Sequence, residues 1–278
     1  MSFKWLVRYA DSSGNIHFGD LKQAPGSGSL EGAEVEVLNG DLHSEFSRAG
    51  KTDKIHKLLC PLPGVPIVMC VGLNYRQHAA EANLKLASNP VIFTKPPDAL
   101  AGPYEDVPVH PECQSHLDYE GELTVVIGKD AKNVSEADAL NYVLGYTVGN
   151  DVSARNFQMP DVSGGQHGYA KSFDKFAPIG PCITSAELIP DPQKLHYTTK
   201  VNGELRQETE TSDMIWTVRQ IIAHLSRGTT LRKGTAIQTG TPSGVGLFME
   251  PKGFVKNGDV VEITVDGIGS IRNKMVFE

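Results

Sequence analysis

No block of five Lys or Arg residues occurs anywhere in the 278-residue chain, and its 26 basic residues are outnumbered by 33 acidic ones, for a net charge of −7. A nucleic-acid partner is therefore not expected, since backbone binding needs a basic footprint. The chain has no apolar run of 18 residues, so no membrane association is expected either. The opening MSFKWLVRYADSSGN lacks the basic and apolar regions of a secretion signal. A cytoplasmic, reducing compartment is the expectation; a mitochondrial location stays open, although Asp11 and the strand-like opening argue against a presequence. The four cysteines, Cys60, Cys70, Cys113 and Cys182, show no C-x-x-C spacing and read as reduced, partly buried thiols rather than as a disulfide frame or zinc site. Also missing are G-x-S-x-G, a G-x-G-x-x-G opening a helix, and H-E-x-x-H, which argues against a serine hydrolase, a dinucleotide enzyme and a zinc peptidase.

What is present is a globular composition, 40% apolar and 21% charged, with 28 Gly and 17 Pro. That balance favours many turns between short strands, a β-rich α+β chain rather than a helical bundle. FKWLVRY, the turn DSSGN and IHFGDL read as a hairpin, followed by the short strand EVEVL. CPLPGVP puts three prolines into six positions, which denies helix and central strand alike. The expected division is a small N-terminal β-rich domain, 1–62, and a larger domain, 63–278. In the latter, PIVMCVG and PVIFTK read as buried strands around a short helix from about His78 to Leu86. Ser135 and Asp138 predict a capped helix through Leu144, and Thr217 to Arg227 carries Val218, Ile221, Ile222 and Leu225 at helical spacing before Gly228. KLHYTTKV with its Asn202-Gly203 turn and DVVEITVDGIGSIRNKMV read as further strand pairs.

The chemistry-bearing residues begin with LDYEGELTVVIG. A strand has a side-chain period of two, so Glu120 and Glu122 project from one face, while Tyr119, Leu123, Val125 and Ile127 share the other. Asp151, at the end of a second candidate strand in GYTVGNDVSARNFQ, is placed to complete a three-carboxylate set. Oxygen-only ligands select a hard divalent ion, Mg²⁺ first, with Mn²⁺ or Ca²⁺ as alternatives. Taken alone, E-x-E is most often the solvent face of a half-buried strand. His78 and Glu81 lie three apart, on one face of a helix, where a carboxylate can orient an imidazole base. Lys171 follows a glycine-rich loop and could meet a developing oxyanion. Arg155 and Gln158 follow Asp151 on what reads as a helical turn. QTGTPSGVG lacks the G-K-[ST] ending of a phosphate loop and reads as a strand-end turn with Thr241 facing the site.

In this order and spacing, GLNYRQHAAE, PVIFTKP, LDYEGELTVVIG, GYTVGNDVSARNFQ, YAKSFD, VNGELRQ, TSDMIW and TGTPSGVG resemble the fumarylacetoacetate hydrolase family, over roughly residues 65 to 277. Within it the chain looks most like the fumarylacetoacetate hydrolase domain-containing proteins, whose activities include acylpyruvate hydrolysis, oxaloacetate decarboxylation and oxaloacetate keto–enol tautomerisation. The resemblance implies a rolled mixed β-sheet, a homodimer, and Mg²⁺ or Mn²⁺ at the positions matching Glu120, Glu122 and Asp151. It implies a catalytic dyad of His78 and Glu81 on a lid helix, an oxyanion-stabilising Lys171, and substrate contacts at Arg155, Gln158 and Thr241. Asn156 departs from the family, where Asp is common after the Arg, and its role is expected to be structural.

The implied substrate is a small 2-oxo acid bearing a second carbonyl or carboxylate, handled as an enolate held by the metal. C–C bond hydrolysis is the favoured expectation, with decarboxylation and tautomerisation as alternatives that use the same residues. A non-catalytic metal-binding pseudoenzyme is the alternative of another class, and the intact residue set argues against it.

Overall fold

The computed structural model describes residues 3–278. Its frame is a 12-stranded mixed sheet whose path runs from Ser47–Lys54 through Glu34–Asn39, Ile16–Leu21 and Trp5–Ala10 to Ala177–Ser185. It continues through Val143–Asn150, Gly121–Ile127, Ala236–Gln238 and Val68–Gly72 to Val91–Lys95. A second sheet of five strands, including His196–Val201, Val260–Val265 and Gly269–Phe277, lies against it. The larger core forms between them: Leu123, Val125, Ile127, Tyr146 and Val148 of the long sheet pack with Tyr197, Ile263 and Ile271 of the short one and with the helix Val218–Leu225. That architecture, strand-rich with a few short helices, is the β-rich α+β class read from the composition.

The strand Gly121–Ile127 is buried at every position, because its other face meets a second core around Val126, Val68, Cys70 and Ile179. The alternation in its sequence therefore separates two interiors, not an interior from water. The glycine between the two glutamates is required: a Cβ at Gly121 would run into Thr199 Oγ1 of the facing sheet.

Two helices differ from expectation. The site helix spans Arg76–Glu81 instead of running to Leu86, since Asn83 turns into the left-handed region at φ 51° and ends it. Ser135 and Asp138 do bond to each other as a cap would, yet only a single turn at Ala139–Tyr142 follows before the chain enters the strand Val143–Asn150. There Gly145 lets the neighbouring strand approach so closely that a Cβ would strike Thr184, and sheet packing overrides the local helical signal. The helix Val218–Leu225 forms with Thr217 and Gln220 in a reciprocal capping box. The polar edge strand Ser47–Lys54 carries no apolar alternation and has no counterpart in the sequence reading.

The N-terminal strands are hydrogen-bonded into the long sheet, Trp5 and Leu6 pairing with Thr184 and Ile183. None of the residues that converge below comes from 1–62.

Candidate active site

The carboxylates meet because two adjacent antiparallel strands bring them together. Gly121 pairs with Asn150, so Glu120 lies opposite Asp151, whose amide donates to Glu120 O at 2.9 Å. Ligand oxygens of Glu120, Glu122 and Asp151 lie within 4.8 Å of one another, and all three residues are buried. Gly240, at φ 100° in the turn after Ala236–Gln238, donates its amide to Glu122 Oε2 at 2.7 Å. A Cβ at that glycine would collide with Asn74, so the turn can approach the carboxylate only as glycine.

Three cations balance this charge unevenly. Lys171 Nζ donates to Asp151 Oδ2 at 2.6 Å and Glu120 Oε2 at 2.9 Å. Lys95 Nζ lies 2.5 Å from Asp151 Oδ1 and donates to the carbonyls of Phe176 and Val152. Arg155 holds Glu120 through Nη1 at 2.7 Å and Asp118 through Nε at 2.8 Å, while its Nη2 is buried without a partner. Asp118 also accepts the amides of Gly246 and Leu247, which ties Arg155 to the turn carrying Thr241. Glu122 alone among the three clustered carboxylates has no cationic partner among the described residues. Burial, then repulsion from Asp151 and Glu120, pushes its carboxyl well above the usual range. Burial acts the same way on Glu120, but Lys171 and Arg155 outweigh it and hold that carboxyl well below.

This donor set fits a hard divalent cation. Oxygen ligands from three carboxylates converge, and positive charge is missing where one of them sits.

Lys95 and Asp118 were absent from the sequence reading. The only signal for Lys95 is a charged residue ending an apolar strand, PVIFTK, a pattern that also suits a solvent-facing strand end. Here the ammonium is fully buried. Replacing it by methionine is expected to cost about 3–5 kcal/mol, because Asp151 is left as an uncompensated buried charge. Urea unfolding checks this; a loss near the ~1 kcal/mol of a surface pair would refute it.

A cavity of about 480 Å³ opens onto the cluster, lined by His78, Glu120, Arg155, Gln158, His167, Lys171 and Thr241 together with apolar residues. His78 Nδ1 lies 2.9 Å from Glu81 Oε2, and the other oxygen of Glu81 accepts the Gly244 amide at 2.9 Å. Phe248 packs its ring edge-on to the imidazole. The base is thus clamped from the helix side and from the turn side. Gln158 accepts from Arg155 Nη1 at 2.8 Å through Oε1. The Thr241 hydroxyl donates to Gly121 O and accepts from Gln207 Nε2, which leaves one lone pair toward the cavity. The nine residues given a site role from the sequence lie in or at this cavity or in the carboxylate cluster beneath it. Asn156 lies outside, donating to the Glu112 carbonyl.

Residues 67–276 match the family profile described as fumarylacetoacetate (FAA) hydrolase, C-terminal. The chain is 42% identical over 222 residues to the oxaloacetate tautomerase YisK of Bacillus subtilis, covering 79% of this chain and 73% of that protein. It is 41% identical over 219 residues to the mitochondrial oxaloacetate tautomerase fahd2 of Xenopus laevis, covering 79% and 68%. The crystal structure of a 2-hydroxyhepta-2,4-diene-1,7-dioate isomerase from Mycobacterium marinum superposes with a TM-score of 0.83 at 35% identity, over 99% of both chains.

Proposed function

The chain belongs to the fumarylacetoacetate hydrolase family, and on that premise we propose that it is a metal-dependent oxaloacetate keto–enol tautomerase. This takes the reading first held as the alternative and sets it above C–C hydrolysis. Both relatives described above bear that name, and the structural neighbour is named as an isomerase of a 2-hydroxy dioate, an enol of the same chemical kind.

The observation that carries the proposal is the state of His78. Its Nδ1 partner is a carboxylate, which only accepts, so in the neutral ring the proton sits on Nδ1 and Nε2 keeps its lone pair. Nε2 has no partner among the described residues, and the ring lines the cavity. It is assigned to carry one proton between C3 and the C2 oxygen: it removes the proton from C3 of the keto acid and, once protonated, delivers it to the enolate oxygen, the enol-to-keto direction running in reverse. Lys171 keeps one ammonium hydrogen beyond its two carboxylates and is assigned the C2 oxygen on which charge develops. Arg155, whose Nη2 is unpartnered among the described residues, and Gln158 are assigned to the substrate's carboxylate oxygens as N–H donors, and the remaining lone pair of Thr241 to the enol hydroxyl, which can donate. A divalent ion, Mg²⁺ first, would be held by Glu120, Glu122 and Asp151 and would supply Lewis-acid stabilisation of the same charge. Tautomerisation breaks no C–C bond and consumes no water, and Phe248 packs on His78 while Leu84 and Leu247 add apolar lining to the cavity.

The test is one assay of enol-oxaloacetate and acetylpyruvate with Mg²⁺ and three readouts: enol absorbance, CO₂, and pyruvate plus acid. Enol loss without CO₂ or cleavage is expected. Cleavage of acetylpyruvate at a rate matching enol loss would return the assignment to C–C hydrolysis.

We carry three further expectations as part of this reading. The chain works as a homodimer, which light scattering checks. It resides in a reducing compartment, supported by four cysteines that are all free thiols. Its N-terminal part, 1–62, is carried as a small β-rich domain with no assigned role in the chemistry.

A further inference from the structure

His167 plays no part in the reading so far, yet it lines the same cavity as His78. Its ring packs beside Phe93, the aromatic face over which Lys171 sits. Its Nδ1 lies 2.8 Å from the Gln158 amide group, and its Nε2 has no partner among the described residues.

The protonation of this ring follows from its neighbours, one step at a time. Arg155 Nη1, 2.8 Å from the Gln158 side chain, can only donate. The Gln158 atom facing it must then be the carbonyl oxygen, which turns the amide NH₂ toward His167. An NH₂ can only donate, so His167 Nδ1 must accept, and the ring proton sits on Nε2. Arg155 cannot rotate away from this role, since Asp118 and Glu120 hold it by two further contacts. Burial, then the Lys171 ammonium, holds the imidazole pKa below its ordinary value, which keeps the ring neutral.

The two histidines of the cavity thus carry opposite tautomers. His78 has a carboxylate at Nδ1 and offers a lone pair; His167 has an amide donor at Nδ1 and offers an N–H. We propose that His167 is a substrate-binding residue, a neutral donor through Nε2–H to an oxygen of the 2-oxo acid. Gln158, held by Arg155, is the positioning residue that fixes its tautomer. The assignment rests on the 2-oxo-acid reading above. A neutral donor grips an anionic oxygen without adding a further cation to the cavity. Already protonated at Nε2, it does not compete with His78 for the substrate's proton.

The test combines imidazole ¹⁵N NMR of the histidine-labelled protein with binding and kinetics. The His167 signals, identified by their loss in His167→Phe, are expected to show the Nε2–H form in the wild type. In Gln158→Glu a carboxylate faces Nδ1, so that nitrogen is expected to become protonated. His167→Phe is expected to raise KM for oxaloacetate about ten- to a hundredfold, the loss of one hydrogen bond to a charged group, with kcat changing less than KM. His167→Gln, whose amide can place an N–H near the Nε2 position, is expected to recover part of that loss. A wild-type ring protonated at Nδ1, or unchanged affinity in His167→Phe, would overturn the proposal. If the wild type does not turn over oxaloacetate, the dissociation constant of oxalate on the same variants decides the question, so failure of the tautomerase reading and failure of the His167 assignment remain distinguishable.

Discussion

His78→Asn is expected to slow enol–keto interconversion of oxaloacetate by about 10² to 10⁴-fold, the usual contribution of one positioned general base. Divalent-ion affinity should stay near the wild-type value, because His78 is not among the clustered carboxylates. The split between the two measurements is what the geometry demands. Glu81 holds Nδ1 and is itself held by Gly244, so the ring is oriented by groups independent of the ligand set. Glu81→Gln should give a comparable loss, since the Gly244 N–H fixes the new carbonyl oxygen and turns the NH₂ toward Nδ1, which reverses the tautomer and removes the lone pair from Nε2. Stopped-flow enol absorbance with calorimetric metal titration measures both quantities. Near-normal turnover in His78→Asn would remove the base assignment altogether.

Glu122→Gln is expected to lower divalent-ion affinity by more than about a hundredfold, beyond what loss of an outer-shell partner costs. Its effect on the metal-free fold should have the opposite sign. Glu122 is the clustered carboxylate without a cation, and its carboxyl is pushed up by burial and by the neighbouring carboxylates. A group whose pKa is raised on folding contributes stability that is present below its unfolded pKa and lost as pH rises through the folded one. The amide does not ionise and can still accept the Gly240 amide, so the variant without metal should match or exceed the wild type in Tm, most clearly on the alkaline side. The same proton must leave when metal binds, so wild-type affinity should climb with pH and binding should release a proton. Thermal unfolding at several pH values, with and without Mg²⁺, reads all of this. A metal-free Glu122→Gln protein markedly less stable than the wild type would contradict the charge balance. Glu120→Ala is the poorer probe of the metal, since it also strips Arg155 and Lys171 of a buried partner.

The sequence by itself determined the strand-rich class and the hairpins. Periodicity and turn chemistry are local: the Asn202-Gly203 turn and the capping box at Thr217 act over a few residues and form as written. It also placed Glu120 and Glu122 on one side of one strand, for the same reason. The family resemblance, carried by motif order, supplied the list of site residues and the enolate chemistry. Only the tertiary structure decided that both faces of that strand are interior, since a facing sheet leaves no mark on the strand's own alternation. The helix expected after Ser135 stops short for a related reason, because its last two residues, Val143 and Leu144, belong to a strand of the long sheet. Only the tertiary structure brought in Lys95 and Asp118, whose partners lie 56 and 37 positions away in the chain. And only it showed that Gln158 stands between Arg155 and His167. Whether a histidine is a base or a donor is fixed by which atom faces its other nitrogen, and no spacing along a chain records that.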